Sequence, residues 1–317
     1  MEIHLMSSRG DSRGDRLSRL AQELRQMPEK RIQDEIYSVR SSVEVFRGNQ
    51  RELVSFLAWC EQAPENEDIV YAAAWSKREK QSYELRRLLH NYVAAAMSLV
   101  DHTRVSHNRL YEDGDFPDYQ PRVDRDFARN PLAQFVKGLR IYVTHVQTTG
   151  VIFRFNVDDE TEEIHRQLGV ETATLRDWDG WNAPAKAYLS KASDFIRIAD
   201  VAAEYGQKVH AFYHWYDDRQ NEILGADLDR YRSKQEEALA LELEIRIDDL
   251  LESSDESITG EKVFFGVLDM AEIEQIDGLP QGSIERASRA VELLGHYIQP
   301  SEALIAKLRR AFGSHVV

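Results

Sequence analysis

The chain carries a single cysteine, Cys60. No disulfide can therefore close within it, and no cysteine-rich zinc site can form. Long apolar runs are missing too: no stretch approaches the roughly 20 apolar residues of a membrane-spanning helix. The opening residues, MEIHLMSSRGDSRGD, lack the apolar core of a secretory leader, so the expectation is a cytoplasmic protein. Positive charge is also short. Lys and Arg number 40 against 55 Asp and Glu, leaving a formal charge of −15 over 317 residues. Such a balance counts against a protein that follows a long nucleic-acid backbone with basic side chains, DNA above all. It leaves room for a small RNA cleft, because the distribution of charge matters more than the total.

What is present is helical periodicity. The hydrophobic share, 42%, suffices for one large or two ordinary domains. Residues 1–15 read as a solvated tail in which SRGD occurs twice; an integrin-type reading of RGD would need an exported protein. Leu17, Leu20, Ala21 and Leu24 make a short amphipathic helix ahead of Pro28. Ile32, Ile36, Val39, Val43, Phe46, Leu53, Phe56 and Leu57 make a second, with Gly48-Asn49 as its expected interruption. After the loop APENED (63–68), residues 69–111 show the wide apolar face of a central bundle helix. That helix also carries His90, His102 and His107 with Arg86, Arg87 and Arg104. Residues 111–124 read as a loop by their Gly, Pro and Asp content.

The stretch FARNPLAQFVKGLRIYVTHVQTTG, 127–150, reads as one helix with both ends marked. Asn130 is a strong N-cap and Pro131 sits where the first turn needs no N–H. Leu132, Phe135, Val136, Leu139, Tyr142, Val143 and Val146 form one apolar stripe. Gly150 is the expected left-handed stop. Beyond it, 151–157 (VIFRFNV) reads as a strand, with 172–176 as its expected antiparallel partner across the acidic DDETEE link. Helix resumes near Ala183-Pro184, and Trp178 and Trp181 read as packing anchors. A long helix covers 196–251, with Ile198, Val201, Ala202, Tyr205, Val209, Phe212, Tyr213 and Tyr216 on one stripe. Its continuation, 226–256, holds eleven Asp and Glu against four Arg and Lys, and suits a solvated helix with one face docked or a protein-binding helix. After a linker at 253–260, residues 261–317 read as a compact module of three short helices with Ser283 and Ser301 as N-caps. Six Lys and Arg against eight Asp and Glu argue against a DNA-reading role there.

The resulting expectation is a mainly α protein: tail 1–15, a helical bundle over 16–252 with a hairpin around 151–176, and a helical C-terminal appendage over 253–317.

Chemistry is hinted at where Arg140 and His145 stand five residues apart on the 127–150 helix. This Rx4H spacing resembles the Rx4–6H signature of HEPN-type proteins, and LRIYVTH (139–145) resembles the LRNYxxH phrase of several HEPN-like bacterial families. The resemblance covers about the middle two thirds of the chain, mostly as pattern. It implies a bundle that dimerises, with Arg and His of both subunits lining a cleft that cuts RNA without a metal, as in defence or toxin systems. Arg140 would then stabilise phosphorane charge and His145 would move the proton. Ile141 stands where those families usually carry a polar residue.

Two rival readings come from other residues. A catalytically inactive scaffold or regulatory protein follows from Ile141 and the acidic balance. A metal site follows from His210 and His214, one turn apart, with Asp217 and Asp218 beyond and Glu162-x-x-His165 as a second word. The expectation carried forward is catalytic Arg140 and His145, no metal or cofactor, RNA as partner and a homodimer. A further protein partner would lie along 226–256.

Overall fold

A computed structural model describes residues 13–112, 114–146, 150–158, 164–252 and 258–313. The fold is mainly helical with a small three-stranded sheet, and the chain divides into two compact units, Gln33–Leu224 and Met1–Ile32 with Gly225–Val317. The division falls inside two long helices, α2 (Pro28–Gln62) and α8 (Ile198–Glu252).

In the Gln33–Leu224 unit, α2 and α3 (Trp75–Leu110) form an antiparallel pair joined by two 3-10 turns, Pro64–Val70 and Ala72–Ala74. The expected break at Gly48-Asn49 does not occur. The helix runs through, the Asn49 amide donating back to the Val45 carbonyl at 2.8 Å, while Phe46 and Leu53 are buried on either side. Tertiary burial, at roughly 1.5–3 kcal/mol per large apolar side chain, outweighs the ~1 kcal/mol cost of one helical glycine. The third apolar segment begins as true helix at Trp75 rather than at 69. The expected 111–124 loop also contains a short helix, α4 (Tyr119–Val123), which opens into a π turn, Asp124–Ala128.

Next comes α5 (Pro131–His145), then β1 (Val151–Val157), β2 (Ile164–Glu171), α6 (Thr172–Arg176), α7 (Ala183–Lys191) and β3 (Phe195–Arg197). The 151–157 strand is present, but its expected partner is not. β1 pairs with 164–171, in the register Val151↔Val170 to Val157↔Ile164, and 172–176 is the single turn α6. The Thr172 N–H and hydroxyl donate to the carbonyls of Asp194 and Ser193, which ends the strand. A third strand, β3, pairs antiparallel to β2 through Gly169↔Arg197. Trp181 is buried and Trp178 half-buried, as packing anchors should be.

Helices α3 and α8 lie side by side and run the same way. The Tyr92 hydroxyl donates to the Ala202 carbonyl at 3.5 Å, and the Thr103 and Tyr213 hydroxyls meet at 2.6 Å. All eight residues of the Ile198-to-Tyr216 stripe are buried. Phe127, just ahead of α5, packs on Tyr205 and Phe212, while Val136 and Leu139 further along line one small core cavity with Leu89, Ile198 and Val201. Helix α5 therefore runs against α3 and α8.

The second unit joins α1 (Arg13–Gln26) and residues 225–252 of α8 to α9 (Gly260–Phe264), α10 (Met270–Asp277), α11 (Ile284–Leu294) and α12 (Glu302–Phe312). Four short helices stand where three were expected. Ser283 and Ser301 cap two of them, and Asp269 closes a capping box with Glu272. Leu243 and Ile247 of α8 are buried among Phe264, Ile276, Leu294 and Phe312. The apolar side of the acidic stretch is thus docked on the chain's own helices, which is why this unit takes in residues that the sequence boundary at 252 separates from the C-terminal module. The first twelve tail residues and most of the 253–260 linker lie outside the described residues; 13–15 form the first turn of α1.

Candidate functional site

Helix α5 starts as its sequence dictates. The Asn130 side chain accepts from the Ala133 N–H at 3.1 Å, and Pro131 occupies the first turn. Leu132, Phe135, Val136, Leu139 and Tyr142 are buried. Gly138 lets α7 approach: a Cβ there would lie 2.5 Å from two ring atoms of Trp181. The Phe135 ring stacks on Trp181 and Tyr188 at centroid distances of 5.4 and 4.7 Å. The helix ends at His145, and the Val146 N–H closes on the Tyr142 carbonyl. Gly150 is not left-handed; among the described glycines only Gly114, Gly266 and Gly282 have positive φ. Residues 147–149 of the expected stop lie outside the described residues.

Arg140 is half-buried and His145 exposed, at the open end of α5. The helix is regular between them, and the Thr144 hydroxyl donates to the Arg140 carbonyl at 2.7 Å. Five residues at 3.6 per turn put the two side chains roughly 140° apart, so one copy of α5 sends them to opposite flanks. Neither side chain is hydrogen-bonded or ion-paired to a described residue. Ile141, between them, is 37% exposed.

The other polar groups of α3 divide between its two ends. Arg86 and His90 lie in the half that α5 approaches with its C-terminus. His102, Arg104 and His107 lie at the opposite end. His102 Nδ1 is 2.7 Å from the Ser42 hydroxyl, Arg104 pairs with Asp101, and His107 lies among aromatic rings. They do not share a cleft with Arg140. Burial pushes the His107 pKa down to about 4.

The helical residues of the metal reading have other partners. His210 Nδ1 faces Arg47 at 3.1 Å, His214 pairs with Asp218 at 2.9 Å, and Asp217 faces Arg40 at 3.6 Å. His165 lies on β2 instead of a helix, and Glu162 falls outside the described residues. Among the described residues no group of three or more His, Cys, Asp or Glu is placed to hold a metal ion.

One polar cluster escaped the sequence reading. Glu61, at the end of α2, is only 6% exposed; its carboxylate accepts from the Leu168 N–H at 3.0 Å and pairs with Arg197 of β3. Arg166 of β2 donates to the Glu61 and Ala63 carbonyls at 2.9 and 3.1 Å, capping the C-terminus of α2. A cleft of about 820 Å³ opens beside them, lined among others by Glu67, Asp68, Tyr71 and His165. Both buried charges are satisfied internally, so the cluster ties α2 to the sheet. Its members come from residues 61, 166 and 197, and no local motif marks them.

No helix among the described residues is long and apolar enough to cross a membrane. Comparison with known families, with curated proteins and with solved structures finds no match to this chain.

Proposed function

We propose that this chain is a HEPN-like protein that cuts RNA without a metal ion, with Arg140 of one copy and His145 of another meeting at a shared cleft. The observation that supports this reading is the placement of the two side chains, on opposite flanks of one uninterrupted helix end, with no ion pair to a carboxylate among the described residues. A single copy does not converge them. Two copies in a two-fold contact along α5 present each Arg140 to the other's His145. There His145 takes the proton of a ribose 2′-hydroxyl as its oxygen attacks the adjacent phosphorus. Arg140 stabilises the charge gathering on the phosphorane oxygens, and the 5′ oxygen leaves and takes up a proton. The products are a 2′,3′-cyclic phosphate and a 5′-hydroxyl.

RNA cleavage by the purified chain in the presence of chelator tests the proposal, run beside Arg140→Ala and His145→Ala. Each variant alone should be inactive. Mixing the two should restore part of the activity, because a mixed dimer keeps one cleft with both side chains. Activity that mixing never restores would rule out the shared cleft.

A second reading is favoured by Ile141, apolar and exposed between the two side chains. It is a scaffold or regulatory interaction protein that keeps the bundle and lacks the chemistry. A folded, dimeric wild type that leaves RNA intact would support it, and Ile141→Asn would then be the first substitution to try for activity.

A further inference from the structure

Three of the most exposed aromatic side chains of the Gln33–Leu224 unit lie within thirteen residues: Tyr71, Trp75 and Tyr83 are 67%, 63% and 69% exposed. Large rings normally bury most of their area, so their exposure calls for an explanation. Trp75, Glu79, Tyr83, Arg86 and His90 fall within roughly 80° of arc on α3 by its 3.6-residue turn, making one solvent-facing stripe. Trp75 and Tyr83 stand about 12 Å apart along it, at 1.5 Å per residue.

The charge of this segment runs against that of the chain. Residues 75–87 hold five Lys and Arg and two Glu, in a protein of formal charge −15. Several of those groups are already engaged: Lys77 pairs with Asp68, Arg78 donates to the carbonyls of Ile69 and Tyr71, and Arg87 pairs with Glu84. Lys80 and Arg86 have no carboxylate partner among the described residues.

The stripe also lies at the Arg140 end of the bundle. Helix α5 runs against α3, and Leu139 and Leu89 line the same small core cavity. Six residues on from Leu139 is His145, and six residues back from Leu89 is Tyr83. The shared rise therefore brings Tyr83 and Arg86 to the level of Arg140 and His145.

We infer that the Trp75–Tyr83–Arg86 stripe of α3 grips a single-stranded run of RNA, bases stacking on the two rings and Lys80 and Arg86 holding phosphates, beside the Arg140–His145 end of α5. The inference rests on the RNA-cleavage reading and adds the residues that would hold the strand. A protein contact would centre on a continuous apolar patch. Here Glu79 separates the two rings, and Lys80 and Arg86 lie on either side of Tyr83, which places phosphates beside the base stacked on that ring and not between the rings.

The test is binding of fluorescein-labelled 12-nucleotide oligouridylate to the full chain carrying His145→Ala, followed by anisotropy. Trp75→Ala and Tyr83→Ala should each weaken binding by roughly five- to hundredfold, and Trp75→Phe should recover most of the loss. With two phosphates held, the slope of log K against log salt should be about −1.4. The same strand annealed to oligoadenylate should bind more weakly, its bases being closed to the rings.

No binding by the folded chain, equal affinity in the ring variants, or tighter binding of the duplex would each overturn the inference. Loss of self-association in Trp75→Ala would do so as well, marking the stripe as a contact between copies. Cleavage by the wild type, measured alongside, keeps the two proposals apart. Cleavage with unchanged binding in the stripe variants defeats the stripe alone, and stripe-dependent binding without cleavage defeats the chemistry alone.

Discussion

The imidazole of His107 lies flat on the phenol ring of Tyr119, with 3.5 Å between centroids and 16° between planes. Tyr111 and Phe116 close around the pair, and the Tyr216 hydroxyl stands 3.5 Å from His107 Nδ1. A ring so enclosed by apolar faces loses the hydration that a charged imidazolium needs, which is why its pKa falls to about 4.

Stability should therefore depend on pH through this residue. The folded pKa lies below the ordinary value of 6.5, so between about pH 6.5 and 4 the unfolded chain binds the proton that the folded chain refuses. The contribution is complete above 6.5 and is lost as pH falls toward 4, at a cost of about 2 kcal/mol once partial exposure is discounted. Thermal melts from pH 7.5 to 4.5 should show that fall, and His107→Phe should flatten it. An unchanged pH slope in the variant would disprove the assignment.

Glu61→Leu should cost about 2–3 kcal/mol in urea unfolding. It strands the Leu168 N–H and leaves the half-buried Arg197 with only the exposed Asp200 as a carboxylate partner. Removing Arg197 as well should recover part of the loss, and a double-mutant cycle measures the coupling. Additive losses would mean that the pair does not act as a unit.

Gly138→Ala should destabilise by about 1–3 kcal/mol, because its Cβ would sit 2.5 Å from the Trp181 ring. The usual helix preference for Ala over Gly, worth ~1 kcal/mol, works in the opposite direction. A net gain in stability would show that Trp181 can withdraw freely.

The start of α5 was legible because a cap is local: Asn130 and Pro131 act on N–H groups within three residues. The stripe on α8 was legible because the 3.6-residue period repeats over many turns. The strand partner was misread. Arg166 occupies an inward position of β2, where a polar residue spoils the alternation that marks a strand, and its satisfaction by the carbonyls that end α2 comes from more than a hundred residues away. Gly48-Asn49 misled in the other direction, since the burial that holds the helix together there comes from α3 and α8.

The sequence by itself determined the mainly helical character, the capped start of α5, the apolar stripes and the Rx4H spacing, all of which rest on periodicity or on contacts within one turn. The tertiary structure decided that 164–171 is the strand beside β1 and that Glu61, Arg166 and Arg197 converge. It also decided that Arg86 shares the Arg140 end of the bundle while His107 lies at the other. Those outcomes depend on which distant segments pack together and in which direction they run, and chain spacing carries no direct record of either.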